Sequence, residues 1–413
     1  MSAIGRRGAL GLLGLSAASA VAGPTACHDD VDEDGLAWNE LPPLPPNRVD
    51  WSPHVPVAQP YWRQLGLAGM LAGTHGDGLI AAGGANFPEP GKTSNRDTVL
   101  GKVYWDEVFI LQRTRDGGYA WRDGTWRLPM SIAYSATVST PRGVLVVGGE
   151  GFRGGPNGTK KATLELFPHV FFLRFDPARA ELVTEALPDL PRGVSYAVAG
   201  IVAETVYVAE GGDFWSLDLA NPSSGWQTLP RWPGDPRSVA VGVAQGGRFF
   251  LLSGRGTSSG SWQFYRDVYA YDPRQGTWTR EMDLPWCITA GLAFAVGQGS
   301  ILAVGGDKDI DRWNLIQRQT ALMNQYPPGS PERAAHNDVI TWMYDHHTGD
   351  NVEILRYDLA SRTWHEIGHF PGAPPVTTAA VHWGNDLVIV SGEVRPGVRT
   401  PRVWMARPID TNP

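Results

Sequence analysis

Three motifs in this chain spell a chemistry, and their flanking residues decide which of them can carry it out. His365-Glu366-Ile367-Gly368-His369 matches the zinc-protease pattern, in which two histidines four residues apart on a helix share one face. Here the motif follows Trp364 in a segment that reads as an outer strand, which spreads the histidines by about 13 Å. No metal is expected there. Gly149-Glu150-Gly151-Phe152-Arg153-Gly154 matches the dinucleotide fingerprint and follows a strand. No helix is expected after it, so the amides and dipole that hold a phosphate are missing. The third motif is the run Ser391 to Thr400, which carries Glu393, Arg395 and Arg399 around a Pro396-Gly397 turn. One carboxylate and two guanidiniums in one loop make either a surface salt-bridge cluster or a ligand site. His346-His347 falls in a polar loop and reads as solvated, and Asn157-Gly158-Thr159 as a glycosylation acceptor of eukaryotic secretion only.

These loops must be held by a repeat. Six apolar runs end in small residues: GLIAAGG (78–84), GVLVVGG (143–149), TVYVAEGG (205–212), RFFLLSG (248–254), SILAVGG (300–306) and DLVIVSG (386–392). A period of roughly 40–50 residues with a Gly-Gly strand end and a later Trp is the signature of kelch propeller blades. Second strands follow in five of the six, as in DVYAYDP (267–273) and VEILRYD (352–358). Outer strands such as TWTREMDLP (277–285) then carry a packing Trp and a terminal Pro. The sixth repeat lacks its outer strand, and AWNELPPLP (37–45) at the other end of the chain supplies it, which removes two open edges. The fold expected is all-β, a six-bladed kelch-type β-propeller closed by the N-terminal strand. The long loops 85–105, 150–168, 255–266, 307–351 and 393–401 emerge on one face, where binding groups gather. Within the longest, 312–326 has helical periodicity and predicts a small helical insertion in the fifth blade.

Bulk properties agree with that class. The 413 residues include 50 Gly, 33 Pro and 17 Trp, suited to many short strands and turns. A net charge of −7 argues against nucleic acid as a partner. Residues 1–27 read as an export signal, with Arg6-Arg7 before an apolar stretch in the manner of a twin-arginine leader. Cys27 is either a lipidation site or simply flanks the cleavage point, so membrane attachment enters only through a lipid there. Residues 28–35 form an acidic tether, 36–407 the propeller and 408–413 a C-terminal tail. Export to a bacterial periplasm follows. Cys287 is then alone, with no disulfide expected, and Trp286-Cys287 is read as opening an inner strand with a buried thiol.

The Glu393–Thr400 loop resembles the G-E-x-[KR]-P-G-[LV]-R-T motif of bacterial N-acetylneuraminate epimerases, the sialic acid mutarotases, which are six-bladed kelch propellers. Gly66-Leu67-Ala68-Gly69 through Gly83-Gly84-Ala85-Asn86-Phe87-Pro88 is similar to the same family's G-x-A-G…GG-A-x-F blade. In the epimerase the first motif precedes the second; here it comes last, so the chain resembles the cyclically permuted mutarotases over residues 36–407. The resemblance implies an isomerase acting on a small sugar, with no cofactor. It makes Glu393 the proton acceptor and Arg399 the grip on the substrate carboxylate, with Arg395 second. Arg237 resembles an Arg of the epimerase. Asn86, Glu150, Arg255 and Asp307, each just after a strand end, are further candidates for substrate contact. Where the epimerase has G-R-A-Y-G, this chain has Ser131-Ile132-Ala133-Tyr134-Ser135, so Ile132 is expected to replace a charge near the axis.

Three readings compete. The first is an exported mutarotase acting on N-acetylneuraminate through Glu393. The second is a non-catalytic kelch module binding glycan or protein. The third, a copper-radical oxidase, needs a Cys–Tyr crosslink with two His, for which only Cys287 is at hand.

Overall fold

The computed structural model describes residues 36–46, 64–87, 102–153 and 163–408. The leader, the acidic tether, Asn157 and all of the tail except Pro408 lie outside these residues. Among the described residues the chain is all-β with two α-helices, and its main elements are six antiparallel sheets of four or five strands. Each apolar run is the second strand of its sheet: Gly78–Ala82, Gly143–Val147, Thr205–Glu210, Arg248–Leu252, Ser300–Val304 and Asp386–Val390. The first strands are Leu71–His75, Ala136–Thr140, Val198–Val202, Val241–Gln245, Leu292–Val296 and Ala380–Trp383. Each first strand touches the first strand of the next sheet, and the last touches the first. They therefore surround a common axis.

The second strands are apolar at nearly every position because both of their faces are covered. Successive side chains point to opposite faces. Thus Val144 and Val146 pack towards the first sheet with Leu71 and Ile80, whereas Leu145 and Val147 pack towards the third with Val206 and Val208. The core is accordingly divided among the six junctions between neighbouring sheets. Tryptophans on or beside the outer strands tie these junctions together, since a ring that fills apolar space can still donate its N–H. Trp226, Trp278 and Trp364 donate to the carbonyls of Pro188, Pro230 and Met282 of the preceding sheet, at 2.8, 2.8 and 3.0 Å.

The strand Leu36–Leu41 pairs antiparallel with Val403–Pro408, Leu36 opposite Pro408 and Leu41 opposite Val403. It is the fourth strand of the sixth sheet, and its Trp38 meets Phe370 of the fifth edge-on, ring centres 4.6 Å apart. The insertion after the fifth sheet's second strand holds two helices rather than one, α1 (Ile310–Met323) and α2 (Pro331–Asp345). Ile316 and Met323 of α1 pack on Ile340 and Met343 of α2. Trp286-Cys287 does not open a strand. It lies in the connection before Leu292–Val296, where the half-buried Cys287 thiol is pushed up by burial.

Candidate functional site

One residue just before each first strand has a left-handed backbone: Gly69, Tyr134, Tyr196, Val239, Ala290 and Thr377, with φ between 45° and 66°. For a residue with a Cβ this conformation costs about 1–2 kcal/mol, and it is rarest for β-branched residues such as Val239 and Thr377. Backbone hydrogen bonds offset the strain. Tyr196 donates to Tyr134 at 2.9 Å, Tyr134 to Gly69 at 2.8 Å, Thr377 to Ala290 at 3.0 Å and Ala290 to Val239 at 2.9 Å; Gly69 donates to Thr377 at 2.5 Å. The six form a collar around the axis. On one side of it runs a channel of 560 Å³ between the first strands, lined largely by Ala, Gly, Val and Thr.

Four of the sequence candidates stand on the other side. In five sheets the residue before the collar pairs with the residue that follows the small-residue end of the second strand: Ala68 with Ala85, Ala133 with Glu150, Ser238 with Arg255, Thr289 with Asp307 and Val376 with Glu393. Glu150, Arg255, Asp307 and Glu393 thus occupy one register position repeated around the axis. This is why four sequence candidates converge on one end of the axis.

The final loop is a hairpin, Glu393–Arg395 against Val398–Arg399. Across it Glu393 Oε2 meets Arg399 Nη2 at 2.9 Å, and Glu393 Oε1 accepts the Gly397 amide at 2.9 Å. The Arg399 side chain is 5% exposed and that of Glu393 20%. Burial alone draws the Arg399 guanidinium down, but Glu393 and Tyr134 outweigh it and hold its pKa above the ordinary value. Among the described residues, Arg399 Nε and Nη1 have no hydrogen-bond partner. Its guanidinium lies over the Phe87 ring at 4.7 Å.

Arg255 is a second cation, half-buried and held over Trp262 at 4.4 Å and Trp313 at 5.6 Å, and among the described residues its Nε has no hydrogen-bond partner. Burial lowers its pKa, opposed by Tyr196, Asp307 and Glu393 among others. Asp307 accepts the Trp313 indole N–H and the Asp309 amide, and its Oδ2 lies 3.6 Å from His347 Nε2. Burial raises its carboxyl, yet these hydrogen bonds win and leave it below the usual range. Glu150 accepts the Tyr104 hydroxyl at 2.5 Å and Lys102 Nζ at 3.3 Å.

Other candidates lie elsewhere. Asn86 is one residue past the repeated bridge position held by Ala85, so strand alternation turns it inward; its amide donates to Gly66 O and accepts from Trp105 Nε1. Arg237 precedes Ser238 and is likewise turned away. Its fully buried guanidinium reaches Asp267 at 2.5 and 3.0 Å and the carbonyls of Ser253 and Asp235 at 3.0 and 3.2 Å. Arg395 donates to the Asp345 carbonyl at the end of α2, at 2.9 Å. Ile132 packs in the core between the first and second sheets rather than near the axis.

The collar tyrosines were missed: Tyr134 stacks on Tyr196 with ring centres 4.3 Å apart, beside Lys102 at 4.7 Å. So was His347, which is buried, not solvated; its Nδ1 accepts the Gly349 amide at 3.0 Å. His346 is exposed and stacks on Trp342. No sequence signal marked Asp350, whose Oδ2 is buried without a partner. His365, Glu366 and His369 lie on the strand Thr363–His369, as expected.

Comparison with known proteins gives the following. A family model described as N-acetylneuraminate epimerase matches residues 187–411, more than half of the chain. An N-acetylneuraminate epimerase of Haemophilus influenzae (strain 86-028NP) is 28% identical over 225 residues, 52% of this chain and 58% of that protein. One from Yersinia enterocolitica is 31% identical over 234 residues, covering 54% and 58%. A kelch domain-containing protein of Vibrio cholerae is 26% identical over 226 residues, covering 52% and 62%. The chain therefore spans under two thirds of these relatives' lengths. A solved structure titled "Structure of YjhT" is similar with a TM-score of 0.46 and 24% identity, covering 55% of this chain and 69% of that one.

Proposed function

The chain belongs to the N-acetylneuraminate epimerase family, and from that premise we propose that it is a mutarotase that interconverts the anomers of N-acetylneuraminate. The six sheets are read as the blades of a kelch-type propeller clasped by its N-terminal strand, with the sugar bound above the collar. The matched segment ends just beyond the Glu393–Thr400 hairpin, in keeping with a circular permutation that limits any collinear match. Export to the periplasm through residues 1–27 belongs to the same proposal.

The observation that carries the reading is the buried Glu393–Arg399 pair, in which two nitrogens of Arg399 have no partner among the described residues. N-acetylneuraminate is a cyclic hemiketal with a carboxylate on its anomeric carbon. Arg399 donates to that carboxylate, with Arg255 as the second cation facing the same space. Glu393 takes the proton of the anomeric hydroxyl, the bond from the anomeric carbon to the ring oxygen breaks, and the ring oxygen receives a proton. Rotation in the open keto acid and closure on the other face give the second anomer.

Proton NMR of freshly dissolved single anomers tests this. The protein should speed equilibration of N-acetylneuraminate, and Glu393→Gln should lower that rate by about 10²–10⁴-fold. Relaxation of sialic acids and common hexoses at the solvent rate alone would overturn the reading.

A further inference from the structure

The segment leading out of α2 carries a carboxyl that this mechanism leaves unused. Asp350 sits between two anchored neighbours. Asn351 donates its amide N–H to Gly306 O and its side chain to Cys287 O, both at 3.0 Å. Gly349, at φ +95°, lies against the final hairpin, where a Cβ would stand 3.8 Å from the Val394 carbonyl oxygen. The segment is thus held between the fifth sheet's Gly-Gly end and the Glu393 hairpin. The charged groups whose fields act on Asp350 are Asp307, just beyond the fifth sheet's second strand, and Glu393, paired with Arg399, from the hairpin. His347 belongs to its own segment, and Arg255 opens the two-stranded hairpin Arg255–Ser258 with Ser261–Phe264 that follows the fourth sheet's second strand.

Asp350 Oδ2 is buried with no hydrogen-bond partner, and no ion pair involves it among the described residues. Burial comes first, then the negative charges of Asp307 and Glu393, and together they keep its carboxyl protonated well above 3.8. Among the described residues Glu393 has an arginine partner and Asp350 has none, so their surroundings differ in the direction that separates a base from an acid.

We propose that Asp350 is the general acid of this site, protonating the ring oxygen of a bound cyclic keto sugar acid while Glu393 accepts the anomeric hydroxyl proton. The inference rests on the mutarotase reading. In the opening step the Asp350 O–H proton passes to the ring oxygen, the bond from ring oxygen to anomeric carbon breaks, and its electron pair stays on that oxygen. The anomeric O–H proton passes to Glu393 and a C=O forms. Closure runs both transfers backwards, so no proton, oxidant or reductant is consumed.

The test compares wild type, Asp350→Asn and Asp350→Ala in anomer exchange of N-acetylneuraminate by NMR. Asp350→Asn should lower kcat by about 10²–10⁴-fold while KM stays within about threefold. The wild-type kcat/KM should fall on the alkaline side as Asp350 ionises, and that limb should vanish in the variant. Added formate should partly restore Asp350→Ala. Carbon-13 NMR of aspartate-labelled wild type reads the acid without any variant, and a resonance assigned to Asp350 should remain protonated at neutral pH. A rate within about twofold of wild type with the alkaline limb intact overturns the acid role and leaves the mutarotase reading standing. Titration of the Asp350 resonance near 3.8 does the same. A wild-type protein that does not speed exchange overturns both.

Discussion

Among the described residues, two arginine–carboxylate pairs whose guanidinium is buried, Arg237–Asp267 and Arg399–Glu393, differ in one respect. Arg237 is paired with Asp267 and also donates to two backbone carbonyls. Arg399 is paired with Glu393, but its Nε and Nη1 have no partner among the described residues. A buried cation whose donors are engaged is part of the fold; one with donors left over carries a cost that a ligand anion can relieve. The same contrast divides the axis. Below the collar the channel is lined by small, mostly apolar residues, while above it stand Arg255, Asp307, Asp350, Glu393 and Arg399.

The largest effect on stability should come from breaking the satisfied pair. Asp267→Ala strands Arg237 in the interior, and removing one partner of such a pair costs about 3–5 kcal/mol. Urea unfolding should record that loss, while the exchange rate per folded molecule stays near wild type. A rate collapse without loss of stability would put Arg237 back in the substrate site and erase the distinction between the two pairs.

A smaller effect is expected at the half-satisfied pair. Arg399→Lys keeps the charge but loses the planar array of donors. Hydrogen bonds to charged groups contribute roughly 1.5–3 kcal/mol, so KM for N-acetylneuraminate should rise about 10- to 100-fold. An unchanged KM would move the carboxylate grip to Arg255, which lies over two tryptophans and whose Nε has no partner among the described residues.

How far the sequence reaches follows from these residues. The strands were legible because second strands covered on both faces must be apolar throughout, and because the Gly-Gly ends repeat. The same repeat located Glu150, Arg255 and Asp307, which share a register position. It misassigned Asn86 by one residue, and in a strand one residue is the other face. Arg237 misled because a sequence does not show that Asp267 will engage its guanidinium. The second helix was readable and was passed over: Ser330 caps it, accepting the Arg333 amide, with Pro331 and Glu332 in the first turn. Tyr134 and Tyr196 were not readable, since nothing in an aromatic residue announces a positive φ. Asp350 belongs to no motif; its place depends on Asn351 and Gly349 being pinned by parts of the chain far away in sequence.

The smallest expected effect is a change in how stability depends on pH, and it separates Asp350 from the other buried carboxyls. Asp307 and Asp267 are held below their usual range, against burial, by hydrogen bonds and nearby positive charge. Each contributes stability above the unfolded pKa that is lost as pH falls. Asp350 is raised, by burial and by its acidic neighbours, so the sign reverses. Above 3.8 the unfolded chain has released this proton while the folded one still holds it. Stability then falls as pH rises from there through the folded value. Asparagine cannot ionise, so Asp350→Asn removes that fall. Thermal melts of the two proteins should run with a constant offset below pH 3.8 and diverge in favour of the variant as pH increases. Because Asp307 and Asp267 are present in both, their opposite slopes cancel in the difference. A difference that stays flat, or turns in favour of wild type, would mean that Asp350 is ionised in the fold and has no proton to give.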